Sequence, residues 1–255
     1  MRRSSIPLPL IVLLAALLVL AGAMAIGDWM FRRETPGFAD PNWDMTIDGG
    51  WAEMVRGGQL VFTAALLCVL ALLHRHAAVL YAWAAALVVV AGDDMGGIHE
   101  RLGAGLAAGL GLPAVAGLRP IDLGELAMYA VILALIAAAV VWTHRRSAPP
   151  ARVASWRVGL IVAATGALVI VIDMGTIAVS DLVDPRIYYL LGMIELWTES
   201  AGASVLLVSV LLMVARGLPV PGDGLLGRIP ESRVVLNRPE APGETPDQRV
   251  PVSTA

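Results

Sequence analysis

Six apolar stretches, at 6–26, 58–73, 77–92, 123–143, 158–180 and 188–215, recur along the chain. Each is near the roughly 20 residues with which an α-helix crosses hydrocarbon. The second and third are short as apolar runs alone, and each extends at its outer end through small or polar residues that a neighbouring helix can shelter. Composition agrees with this reading: 58% of the residues are hydrophobic and 15% are charged, against about half and about a quarter in soluble domains. The sequence therefore predicts an all-α, polytopic integral membrane protein, a six-helix transmembrane bundle over 1–219 solvated by the lipid bilayer.

Charge orients the bundle. With a cytoplasmic N-terminus, Arg2, Arg3, Arg75, Arg145, Arg146, Arg152, Arg157 and Arg216 all fall inside, as the positive-inside rule requires. The stretch 144–156 carries three Arg and no acid, which makes it the strongest single anchor. Of the 21 acidic residues, 5 fall in 220–255 and the rest lie between Asp28 and Glu199 on the outer half. The expected location is the inner (plasma) membrane, multi-pass, with both termini cytoplasmic. Arg2-Arg3, an apolar run and Ala23-Met24-Ala25 also fit a cleaved signal peptide. The run is long for one, so the first helix is expected to stay; cleavage would leave five helices in the same orientation.

The lone Cys68 excludes an internal disulfide and a thiolate-rich metal site. All 18 basic residues are Arg, which with the Ala, Gly and Val excess reflects coding bias rather than a basic binding surface, and no nucleic-acid partner is expected. Residues 28–57 form an external segment whose Trp29, Phe31, Phe38, Trp43 and Trp51 suit the headgroup layer. The Gly- and Ala-rich stretch 101–123, with Pro113 and Pro120, reads as a re-entrant or surface helix. From 220 onward Pro, Gly, Arg, Glu and Ser dominate without apolar periodicity, the composition of a disordered cytoplasmic tail. Asp94-Met95-Gly96-Gly97-Ile98 is echoed by Asp173-Met174-Gly175-Thr176-Ile177, and Glu125-Leu126 by Glu195-Leu196, a pattern that internal repeats or chance both produce.

Two polar clusters carry whatever chemistry the chain has: 93–100, reading Asp-Asp-Met-Gly-Gly-Ile-His-Glu, and 195–200, reading Glu-Leu-Trp-Thr-Glu-Ser. An ionised side chain at the bilayer centre costs on the order of 3 kcal/mol on insertion scales, so intramembrane carboxylates normally face a cavity or a partner. On a continuous helix Asp93 and Glu100 share a face, while Asp94 and His99 flank it on opposite sides. All four converge only where the helix breaks at Gly96-Gly97. Glu195 and Glu199 are one turn apart.

Carboxylates with one imidazole suit a divalent metal such as Zn, Mn or Fe. The candidate ligands are Asp93, Asp94, His99, Glu100, Glu195 and Glu199, with Asp173 accessory; His99 is expected near one of the two Glu residues. No catalytic residue is named and no organic cofactor is expected. The plainer alternatives are a hydrated helix end for the first cluster and an ion pair of Asp173 with Arg56 or Arg101.

An acidic pair, four residues, His-Glu, and a later Glu-x-x-x-Glu resembles a group of uncharacterised bacterial multi-span membrane proteins. The resemblance implies the membrane region and no activity. Alkaline-ceramidase-like membrane hydrolases also place a metal in a helical bundle, but with several His ligands, where this chain offers only His99. Three functions stay open: an outward-facing metal site acting on a lipid or small external substrate, a cation or proton transporter or channel using the same acids, and a structural or assembly subunit without turnover. Whether the chain is an enzyme, and whether it forms a homo-oligomer or binds a membrane partner protein, is left open.

Overall fold

The computed structural model describes residues 7–44, 49–115, 117–180 and 182–219. Among them the chain is helical: α1 Leu8–Arg32, α2 Trp51–Leu73, α3 Ala78–Gly96, α4 Ile98–Leu110, α5 Pro120–Arg146, α6 Pro149–Val179 and α7 Pro185–Arg216, with a single 3-10 turn at Pro41–Trp43. All but α4 are long and apolar enough to cross a membrane, which gives the six spans read from the sequence. Proline opens α5, α6 and α7, where its missing N–H costs nothing. Asp184 adds a side-chain cap to α7, accepting from Arg186 N at 2.8 Å.

Helices run beyond the apolar stretches because polar residues at the ends continue the same hydrogen-bond ladder. Residues 28–32, expected in an external segment, are the last turns of α1, and 51–57 are the first turns of α2. Of the aromatic residues expected in the headgroup layer, Trp43 packs so closely on Gly27 of α1 that a Cβ there would strike its ring. The expected tail, 220–255, lies outside the described residues. The 94–98 and 173–177 echo does not extend to the backbone, since a break falls at Gly97 while 173–177 continue α6.

The core sits where α2, α3, α6 and α7 meet, around the fully buried Leu67, Leu70, Val79, Leu80, Val158 and Val210. Helix α2 packs on α3 and α7, α6 on α7, α1 on α7, and α4 on α5. The α4–α5 contact is made by backbone: a Cβ at Gly124 would meet Gly103 O, and one at Gly103 would lie 2.7 Å from Glu125 N. Small residues permit such approach where lipid supplies no hydrophobic drive between helices.

At one end of the bundle the two turns tie together. Ala148 N donates to His76 O at 2.7 Å, Val79 N to Ser147 Oγ at 3.0 Å, and Trp83 Nε1 to Ser155 Oγ at 2.9 Å. That end carries Arg75, Arg145, Arg146 and Arg152. The opposite end gathers the C-termini of α1, α3 and α6 with the N-termini of α2, α5 and α7, and with them every described acid of the bundle.

Candidate functional site

At the acidic end, α3 stops because Gly97 turns left-handed, with φ 53° and ψ 39°, a conformation that glycine reaches without strain. The chain restarts as α4 at a new angle, so Asp93 faces the first free N–H groups of α4. Its carboxylate accepts from His99 N at 2.8 Å and lies 3.2 Å from His99 Nδ1. The other ring nitrogen, Nε2, is 2.9 Å from the hydroxyl of Tyr129 on α5, and the two rings stack with centroids 4.6 Å apart. With Nδ1–H donating to Asp93, a neutral imidazole accepts the Tyr129 proton at Nε2. Both ring nitrogens are then engaged within the bundle.

Beside this chain of bonds, Arg56 of α2 reaches across the bundle. Its Nε donates to Asp94 Oδ2 at 2.9 Å, its Nη1 donates to Glu199 of α7, and Glu53 pairs with Nη2 at 3.7 Å. The guanidinium side chain is 9% exposed. A planar fork of donors suits several carboxylates at once, which an ammonium does not. Further down the same α2–α7 seam, Ser204 Oγ lies 3.2 Å from Gln59 Oε1, and Thr63 Oγ1 donates to Gln59 O at 2.7 Å. This polar stripe ends against the buried Leu67 and Leu70.

The sequence-derived candidates therefore separate. Asp93 joins His99, and Asp94 joins Glu199 through Arg56. Glu100 is exposed on α4. Glu195, half-buried one turn before Glu199, has no hydrogen bond or ion pair among the described residues; nor do Asp173 of α6 and Glu125 of α5. These three nonetheless feel one another's region: Asp173, Glu199 and Arg56 act electrostatically on Glu195, and His99, Asp122, Glu100 and Asp173 on Glu125. The hydrogen bonds and ion pair of His99 go to Asp93 and Tyr129 and not to Glu195 or Glu199, and no group of three or more His, Cys, Asp or Glu side chains among the described residues is close enough to hold a metal ion.

Sequence reasoning missed Tyr129 and Glu53, and took Arg56 only as a partner for Asp173. Tyr129 follows Glu125 by one helical turn, so its place on a polar face of α5 was readable. Three further ion pairs frame the site. Asp28, fully buried on α1, accepts from Arg32 Nε at 3.0 Å and from the Tyr189 hydroxyl of α7 at 2.6 Å, while Arg32 also reaches Asp44. At the start of α5, Arg119 donates to Asp122 at 2.7 Å, and that bond pushes the Arg119 guanidinium up from its ordinary value. Comparison of the chain with protein-family models, curated proteins and solved structures finds no match.

Proposed function

We propose that this chain is a multi-pass protein of the inner membrane, both termini cytoplasmic, whose acidic end faces outward, binds a cation and acts on a lipid or small external substrate. The supporting observation is the charge balance. Arg56 is one guanidinium among Glu53, Asp94 and Glu199, and Glu195, Asp173 and Glu125 add three carboxylates that make no ion pair among the described residues and feel Arg56, Arg119 and His99 only at a distance. Carboxylates taken partly out of water need a cation, a proton or a basic side chain to offset the desolvation cost. A divalent metal such as Zn, Mn or Fe is one cation that fits carboxylate chemistry, although Glu195, Asp173 and Glu125 do not stand close enough together to form a ready-made three-ligand group.

The test is metal analysis and calorimetric titration with Zn, Mn and Ca on detergent-purified protein, beside Glu195→Gln. Saturable binding lost in the variant supports the reading. Absence of binding in both proteins, with no turnover of lipid, leaves the Arg56 cluster as a structural tie between α2, α3 and α7.

A transporter reading draws on the Gln59, Thr63 and Ser204 stripe, which leads from Arg56 toward the membrane centre. It meets apolar packing at Leu67 and Leu70 instead of a second titratable group. Cation- or proton-driven flux in proteoliposomes would favour it over the site reading.

A further inference from the structure

Between α6 and α7, on the lipid side of the bundle, lies an apolar groove of about 440 Å³ walled by Leu160, Ile161, Leu168, Trp197 and Val205. Its outer walls face away from the core: Leu160, Leu168 and Trp197 are each about half exposed, at 49%, 50% and 47%. The floor is tight, since a Cβ at Gly202 would collide with the side chain of Thr165. On α7 the lining residues Thr198, Gly202 and Val205 follow Glu195 at i+3, i+7 and i+10, so all four share one face. Glu195, the half-buried carboxylate with no hydrogen bond or ion pair among the described residues, therefore sits one turn above the groove's outer end, at the edge of its face.

We infer that this groove holds one acyl chain of a lipid with a protonated amine in its head group, and that Glu195, backed by Asp173, receives the amine. The inference rests on the cation-binding reading above and names its cation and substrate class. Both halves of the groove meet that chemistry. An acyl chain suits Leu160, Leu168 and Val205, but burial gains about 25 cal/mol per Å² only where the alternative is water; in a bilayer the alternative is another lipid chain, so shape and the neighbouring charge must select the occupant here. The charge at the upper end selects a cation. A second copy of the chain inserted the same way up would bring its own acidic end to the same depth, where like charges repel. An amine-bearing lipid neutralises Glu195 instead.

The experiment uses the full chain in lipid nanodiscs with two photoactivatable phospholipids of identical diazirine-bearing chains, one a phosphatidylethanolamine and the other a phosphatidylglycerol. After irradiation, adducts are mapped by mass spectrometry on 160–168 and 197–205. The expected result is preferential capture of the ethanolamine lipid by about tenfold, equivalent to about 1.4 kcal/mol. Glu195→Gln should bring the ratio to about one, and Val205→Trp, which fills the groove, should lower capture of both.

Equal capture of the two lipids by the unaltered chain overturns the inference, whether or not Glu195→Gln folds. Unchanged capture in Val205→Trp also overturns it, because the adducts then come from bulk lipid. A chain that binds metal through Glu195 yet captures both probes equally overturns the lipid inference alone and leaves the cation-binding reading standing.

Discussion

Arg56 on α2 donates to Glu199 on α7, 143 positions further along the chain, and the same guanidinium holds Asp94 on α3. Three helices that share few other polar contacts are thereby fixed in depth and rotation. Breaking a buried ion pair by removing one partner costs about 3 to 5 kcal/mol, because the remaining charge is stranded. Arg56→Gln should therefore unfold at markedly lower temperature in detergent than the unaltered chain, and Glu199→Gln less so, since Asp94 and Glu53 still face the arginine. The double variant should be less unstable than the two single losses summed. Strict additivity would show that the pair does not couple α2 to α7.

Asp93 closes the gap where α3 breaks and α4 begins. Its acceptance from His99 N stands in for the side-chain cap that Gly97 cannot provide, and loss of such a cap costs typically about 1 kcal/mol. Asp93→Ala should raise hydrogen exchange at the amides of residues 98–101 while leaving those of α2 protected. Exchange that stays unchanged at residue 99 would show that Gly97 alone sets the start of α4.

The six spans were legible because an apolar run of near twenty residues has few other uses, and the break at Gly96-Gly97 because two adjacent glycines before a polar cluster weaken a helix where its partners would otherwise point apart. The partners of the site were not legible in the same way. Nothing local tells which of several outer arginines meets which of many outer acids; that Arg56 serves Asp94 and Glu199 follows from the α2, α3 and α7 packing. His99 turned toward Asp93 and Tyr129 because the break swings α4 against α5, a geometry set by Gly103 and Gly124, whose small size carries no signal of its partner.

That glycine contact makes its own prediction. Gly124→Val should push α4 away from α5, since even a Cβ meets Gly103 O, and overpacking of this kind costs about 1 to 3 kcal/mol. Gly105, on the same helix as Gly103 with nothing within 4 Å of its missing Cβ, is the control: Gly105→Ala should be neutral or raise the melting temperature, since alanine favours a helix over glycine by about 1 kcal/mol. The His99–Tyr129 contact should loosen only in Gly124→Val, seen as a changed shift of the His99 ring signals. Equal behaviour of the two variants would mean that α4 is not docked by its glycines.

The side of the membrane on which the acids lie decides what they can meet. Described acids and the Arg75, Arg145, Arg146 and Arg152 cluster occupy opposite ends of the bundle, and basic loops stay on the cytoplasmic side. In a Cys68→Ser background, Gly109→Cys at the exposed end of α4 should react with a membrane-impermeant maleimide added to intact cells. Pro149→Cys, exposed at the start of α6 among the arginines, should react only after permeabilisation. Neither position lies in the core, so both variants should insert. The reverse pattern would put Glu195 and its neighbours in the cytoplasm, and a lipid reaching them would have to come from the inner leaflet.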